Sequence, residues 1–505
     1  MNWLTDPLMA MMTAIPFGEM GARDRINARE AGVAGSFYPG DPAEITAMID
    51  SMLAQASSEP ISGPILAIAV PHAGYQYSGP VAAYAFAALE GRKFARVVVI
   101  APSHYAAFNF TSIYDGDAYI TPLGTIPVDK DFAADLARMS PSFKLSRQGH
   151  DPSRSGVEHA IEVELPWLQR VLGEFEVVPI IMGEQSYENC RELGMALAKL
   201  IHAEDGNRNA AGKTLIVASS DLSHYHPYDE AVTMDHKTLH ALESWDYFSM
   251  LRNFDSRIWE ACGGGPIVAT MIAAERMGAT KARVLKYANS GDTSGGYSHV
   301  VGYGAEVFIK SEGEAETETQ FSLSEAEKSE LLALARRSVE RAVVGETLHE
   351  PPVSSSEELQ RESGAFVTLH ELGRLRGCIG FTSAMYPLYR TVQEAAHLAA
   401  VRDPRFSPVE AGEVKNLEIE ISVLSPLRRI LNVEQIEVGR HGLVMKKGMH
   451  EGLLLPQVPV EQGWNREQFL EYTCAKAGLK SDSWKDEDTD IFAFTAEVFG
   501  EHRPR

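Results

Sequence analysis

Cysteine is scarce in this chain. There are four in 505 residues, Cys190, Cys262, Cys378 and Cys474, and none is spaced as CxxC. That excludes a zinc ribbon and a dithiol redox motif, and so few, scattered thiols fit a reducing compartment such as the cytoplasm. Positive charge is also short. Lys and Arg number 46 against 69 Asp and Glu, for a formal net charge of −23. A chain this acidic lacks the basic field that general nucleic-acid or anionic-membrane binding requires. No apolar run is long enough to span a bilayer. A Walker loop and a GxSxG nucleophile elbow are both missing. The methionine-rich start carries Asp6 and has no basic n-region, so it does not read as a signal peptide, and 1–28 read as an extension.

A length of 505 residues exceeds what one hydrophobic core supports, so more than one domain is expected. The boundary falls at 311–321. The first ten residues there hold four glutamates and one alanine as the only apolar side chain, which cannot build a core. This acidic linker separates a domain at 29–310 from another at 322–505.

In the first domain, short apolar runs alternate with helical patterns, as in an α/β domain with a mainly parallel sheet flanked by helices. Three of the runs end alike. Ile65 to Val70 leads into Pro71-His72. Val97 to Ala101 leads into Pro102-Ser103-His104. Thr214 to Ala218 leads into Ser219-Ser220-Asp221 and then Ser223-His224. Such uninterrupted runs mark strands buried on both faces. Ligands of open α/β sheets bind beyond the carboxyl ends of the strands. Three strands that each deliver a histidine to one edge predict a metal site.

A catalytic mononuclear centre commonly keeps three protein ligands and one open position. His72 and His104 are the leading candidates. Cys262 is the natural third, because Gly263-Gly264-Gly265 allow close backbone approach and a thiolate favours iron, copper or zinc over magnesium or calcium. Asp221 and His224 serve as ligands or as orienting and acid–base groups. His159 and Glu162, three apart on a helix expected over 157–172, do the same. The competing reading makes each histidine a structural hydrogen-bonder and Cys262 a small buried hydrophobe. Ser219, Asp221 and His224 also suit a Ser-His-Asp hydrolase, without the nucleophile elbow, and a zinc-type hydrolase would use His224 as base. Around these, 71–80 reads as a shaped loop over the site, 229–251 as one helix, and 291–298 as a flexible polar loop.

The second domain reads as α+β. Ser324 and Glu327 form a capping box ahead of an apolar helix. Its distinctive stretch is Arg376-Gly377-Cys378-Ile379-Gly380. Arg376 and Arg405 can grip a carboxylate or phosphate, and Cys378 is a nucleophile if they stabilise its thiolate. The alternative is a strand cysteine between structural glycines.

Several stretches carry a family pattern. Gly35-Ser36-Phe37-Tyr38-Pro39, Pro71-His72-Ala73-Gly74-Tyr75, Pro102-Ser103-His104, Glu158-His159-Ala160-Ile161-Glu162, Ser219 to His224 and Cys262-Gly263-Gly264-Gly265-Pro266 resemble the Memo family, in order over about 29–310. The resemblance implies the fold of class III extradiol (LigB-type) dioxygenases, and iron or copper held by His72, His104 and Cys262, with Asp221 and His224 close by. Those dioxygenases use a carboxylate where this chain has Cys262. Leu375 to Gly380 and Arg402-Asp403-Pro404-Arg405-Phe406 resemble the AMMECR-type domain over about 322–499. The two families recur with a radical-SAM protein in the AmmeMemoRadiSam system, so the resemblance implies such a partner. The expectation is a cytoplasmic, metal-dependent redox or oxygenase-like protein acting on a small molecule or a partner protein. A non-catalytic metal-binding or interaction module and a zinc-type hydrolase are the alternatives.

Overall fold

The computed structural model describes residues 26–56, 61–153, 155–207, 214–310, 322–346, 354, 356–381, 386–425, 427–430, 432–447, 450–486 and 489–501. Most of the N-terminal extension and the whole acidic linker lie outside these residues.

The first domain is built on a nine-stranded sheet. Its strands are β1 (Ile65–Val70), β2 (Arg96–Pro102), β3 (Thr111–Ile113), β4 (Phe143–Leu145), β5 (Glu176–Met182), β6 (Thr214–Ser219), β7 (His224–His226), β8 (Lys281–Asn289) and β9 (Val300–Ile309). They lie in the order β7-β9-β1-β6-β2-β5-β3-β4, with β8 also paired to β9. The four central strands β1, β6, β2 and β5 are parallel. The flanks are not. β9 runs antiparallel to β1, β7 and β8, and β3 runs antiparallel to β5. The sheet is therefore mixed, with a parallel centre. Every residue of β1 and β6 is buried, which explains their unbroken apolar runs. Helices cover both faces and form two apolar layers.

Three local expectations are corrected. Helix begins at Tyr75 and runs to Ala87, so Tyr75 to Pro80 is not a loop. Gly79 serves packing, because a Cβ there would lie 2.6 Å from Met52 Sδ. The 229–251 segment is two helices, Tyr228–Glu243 and Tyr247–Asp255. Trp245 breaks them with φ +57°, and Asp246 caps the second. Ser290–Ser294 is a short helix opened by an Asn289–Asp292 capping box, where a flexible loop is expected.

The second domain opens with the Ser324-capped helix Glu325–Val343. It holds two four-stranded sheets. One is formed by β10 (Ala365–Glu371), β11 (Arg374–Phe381), β12 (Leu417–Leu424) and β17 (Ala496–Gly500). The other is formed by β13 (Arg428–Arg429), β14 (Gly442–Lys447), β15 (His450–Leu454) and β16 (Asp490–Phe494). Val444, Phe492 and Phe494 of the second sheet join Tyr247, Met250 and Leu251 in one buried cluster, so this sheet packs on the first domain. Asp490 closes the contact. Its carboxylate accepts from Tyr187 Oη at 2.9 Å, Arg191 Nε at 3.0 Å, Arg276 Nη2 at 3.2 Å, and Arg429. Arg429 also reaches Glu275 at 3.1 Å.

Arg429 and Asp490 each keep 4% of their side-chain surface exposed, so removing one strands a buried charge. Asp490→Ala should lower the free energy of unfolding by about 3–5 kcal/mol, read by chemical denaturation. Asp490→Leu combined with Arg429→Met should restore only part of it, because Tyr187, Arg191, Arg276 and Glu275 still lose a partner.

Candidate metal centre

Parallel alignment places the carboxyl ends of β1, β6 and β2 side by side. β6 sits between the two strands that lead to histidines, and its own extension carries Asp221. His72 is 1% exposed. Its ring meets His104 at 5.1 Å and His159 at 5.5 Å, both edge-on, and His104 stacks on His159 at 4.9 Å. One ligand nitrogen from each of His72, His104 and His159 lies within 4.8 Å of the others. His159 Nδ1 is buried with no hydrogen-bond partner among the described residues. Three convergent imidazoles, one carrying an orphaned nitrogen, fit a borderline transition metal.

His159 does not arrive on a helix. Residues 157–161 are irregular, Glu162–Glu164 is a 3₁₀ turn, and the α-helix begins only at Leu165, with Pro166 in its first turn. The expected shared face of His159 and Glu162 is therefore absent. Glu162 turns the other way, into a buried ion pair with Arg29 at 2.6 Å, and accepts from Gly32 N, Val33 N and Tyr38 Oη. These bonds pin the Gly35-to-Pro39 stretch against the site, where the Phe37 ring lies 4.5 Å from His159.

Glu158 governs His104. Its Oε2 accepts from His104 N at 2.7 Å, and its Oε1 accepts from His159 N at 2.9 Å and Ala160 N at 3.2 Å. Burial favours the neutral acid, but the His104 bond, the His104 charge and the backbone donors outweigh it and hold the carboxyl below its ordinary value. An ionised Glu158 only accepts. The 2.9 Å contact with His104 Nδ1 is thus an N–H donated by the ring, which leaves Nε2 for the cluster. Burial lowers the His104 pKa, and the Glu158 bond more than compensates, raising it. Burial, together with the neighbouring histidines, holds His72 well below the imidazole range, and burial with His104 brings His159 to about 4. Both are neutral at pH 7.

Cys262 lies at the margin of the cluster, with Sγ 3.2 Å from His72 Nε2. Asp221 N donates to that sulfur at 3.2 Å. Burial pushes the thiol up, so it is neutral without a cation. The glycines after it are structural. A Cβ on Gly263 would stand 2.4 Å from Ser219 O, and one on Gly265 would stand 2.6 Å from Gln185 Cβ. Gln185 clamps the turn by donating to Cys262 O at 2.9 Å and accepting from Gly265 N at 2.7 Å. Asp221 Oδ1 accepts from His72 N at 2.9 Å, and burial raises its carboxyl to about 6. His224 donates from Nδ1 to Leu222 O at 2.8 Å.

A cavity of about 220 Å³ shares Glu158 with the site and is also lined by Tyr105, Arg147, Asp151 and Ser153. The larger groove, about 810 Å³ beside Thr46, Gln169 and Arg170, touches none of the candidate residues.

The second-domain candidates are engaged elsewhere. Arg376 clasps Glu413 through Nε at 2.9 Å and Nη2 at 3.0 Å. Arg405 clasps Asp403 at 2.7 and 2.9 Å and donates to Cys378 O. Cys378 N donates to Asp403, and Thr368 Oγ1 lies 3.3 Å from Cys378 Sγ. Neither arginine fork points at an open anion position.

Sequence reasoning missed Glu158, Glu164 and Gln185. A signal existed for the first two: Glu158, Glu162 and Glu164 interrupt Ala160, Ile161, Val163 and Leu165, and carboxylates among buried apolar residues need partners.

A family model described as "Memo-like protein" matches 29–307, and one described as AMMECR1 matches 332–499. "MEMO1 family protein MK0963" of Methanopyrus kandleri is 38% identical over 291 residues, 55% of this chain and 98% of that protein. "Protein PH0010" of Pyrococcus horikoshii is 48% identical over 185 residues, 35% of this chain and 90% of that protein. The crystal structure of that uncharacterized protein aligns over 35% of this chain and 91% of its own, with a TM-score of 0.34.

Glu158→Ala leaves four buried or half-buried N–H donors without their acceptor. It should cost about 1–3 kcal/mol of stability, read by denaturation. A pH effect comes from the buried His150, which accepts from Tyr119 Oη at Nδ1 and whose Nε2 lies 3.1 Å from Ser112 O. Burial lowers its pKa to about 3, so between pH 6.5 and 3 the unfolded chain binds this proton and the folded chain does not. Stability should fall with pH across that window. From pH 6 to 4, wild type should lose up to about 1.4 kcal/mol per pH unit more than His150→Gln.

Proposed function

The chain belongs to the Memo-like protein family and carries an AMMECR1 domain behind it, and from that premise we propose that it is a mononuclear metal-dependent redox protein of oxygenase-like type. One observation carries this reading: the mutual approach of ligand nitrogens from His72, His104 and His159. Iron or copper would supply one-electron redox chemistry at the carboxyl edge of the parallel strands. His72 and His104 hold the metal through ring nitrogens whose opposite sides are hydrogen-bonded. His159 and Cys262 compete for the third position, the first by its place within the cluster and the second by its contact with His72. Asp221 and His224 stand beside it as the groups able to accept or release a proton.

The likeness to class III extradiol dioxygenases and the cytoplasmic setting belong to this proposal, which also includes a radical-SAM protein as partner. The substrate is a small molecule or a partner protein, with the Glu158-lined cavity as its approach. Neutral imidazoles also suit zinc, so metal identity separates this reading from a zinc-type hydrolase.

Elemental analysis of protein purified without oxygen should find about one iron or copper per chain. His72→Ala and His104→Ala should lose it. Comparing Cys262→Ser with His159→Ala identifies the third donor by whichever loses more metal. No metal in wild type, or unchanged metal in His72→Ala, would overturn the proposal. Bound zinc with ester or amide cleavage and no oxygen uptake would move the chain to the hydrolase reading.

A further inference from the structure

We infer that Glu164 and Ser219 act together as positioning residues that fix the tautomer of His72, directing its Nε2 lone pair into the histidine cluster. The argument is a count of protons. Ser219 Oγ lies 2.6 Å from Ala160 O, 2.8 Å from Glu164 Oε1 and 2.8 Å from His72 Nδ1. Each contact is a hydrogen bond and needs its own proton. Ala160 O is a carbonyl and supplies none. Ser219 has one proton, so only one of the three can be its own donation.

The 2.6 Å contact with the carbonyl can be bridged only by the serine proton. The other two contacts must then bring protons to Ser219 Oγ. Glu164 therefore donates from a neutral carboxyl, and His72 donates from Nδ1. No other assignment gives every contact a proton. In the neutral ring this leaves Nε2 without a proton, 3.2 Å from Cys262 Sγ. The environment of Glu164 agrees. It is 0% exposed and has no cation within hydrogen-bond reach among the described residues. Its Oε2 has no partner, and burial raises its pKa well above the carboxylate range.

The two histidines are thus oriented by different devices. His104 is held by an ionised carboxylate in direct contact. His72 is held by a neutral acid acting through a hydroxyl, which orients the ring without adding a second negative charge beside it. A ligating imidazole needs its second nitrogen fixed in this way, and losing that partner typically costs 10–100-fold in metal affinity.

The order of protons belongs to the metal-free chain, and its value for metal binding rests on the function proposed above. Nitrogen NMR of the metal-free protein, with histidine side chains labelled, reads the tautomer directly. Nδ1–H on His72 is expected, and Nε2–H overturns the inference. Infrared difference spectra of wild type against Glu164→Gln should show the loss of one protonated-carboxyl band. Absence of that loss also overturns it. Ser219→Ala and Glu164→Leu should bind added iron(II) or copper 10–100-fold more weakly than wild type. Glu164→Gln, whose amide can still donate to Ser219, should bind near the wild-type level. Equal affinity in all the variants would overturn the inference. If Glu164→Leu fails to fold, Ser219→Ala and Glu164→Gln still decide. Wild-type protein that takes up no metal would sink the proposed function, while the tautomer measurement would still judge this assignment.

Discussion

Parallel pairing of β1, β6 and β2 is the constraint from which the site follows. Their registers align Val70 with Ser219 and Ile100 with Ala218. Three chains therefore leave the sheet at one level and on one side. No loop has to travel far to bring His72, Asp221 and His104 together, because backbone hydrogen bonds between fully buried strands have set their starting points. Ser220 N donates back to Val70 O at 2.9 Å, which carries the pairing one step beyond the strands and holds Ser219 under the His72 ring.

This much was legible in the sequence, because buried parallel strands leave a plain signature. Unbroken apolar runs ending in Pro-His, Pro-Ser-His and Ser-Ser-Asp marked both the strands and the groups at their ends. The capping box at Ser324 was legible for a similar reason, since a cap is decided within four residues. The path of the site loop was not. Val157 to Leu172 has helical spacing, yet Glu158 spends its carboxylate on the backbone N–H groups of His159 and Ala160 and delays the helix to Leu165. That competition is won by long-range contacts to His104 and Arg29, which no local window contains. The antiparallel flanks of the sheet were hidden likewise, because β9 pairs not only with its neighbour β8 but also with β1 and β7, distant in the chain.

The second domain bears on the first through one helix as well as through packing. Gly264–Arg276 begins two residues after Cys262, and its last turn presents Glu275 and Arg276 to Arg429 and Asp490. Thirteen residues of helix span about 20 Å, so the turn bearing the sulfur and the charged contact between domains are the two ends of one rigid rod. The Asp490 cluster is assembled from β13, β16 and two first-domain helices, one bearing Tyr187 and Arg191 and the other Arg276. It cannot be read from either half alone, and neither domain's own periodicity foretells it.

Electrostatics gives the histidine cluster its polarity. Burial, and after it the repulsion between imidazoles packed within ring contact, lowers His72 and His159, so those two present lone pairs and no charge. Glu158 sits behind them as the anion that turns His104 inward. The Cys262 thiol stays protonated because it is buried near Asp221. A cation entering such a site meets neutral nitrogens first and a nearby fixed negative charge second, while the sulfur must release its proton to join. In the metal site proposed above, nitrogen donors in front, one carboxylate behind and a latent thiolate at the margin would favour a transition metal over calcium or magnesium, which take oxygen ligands.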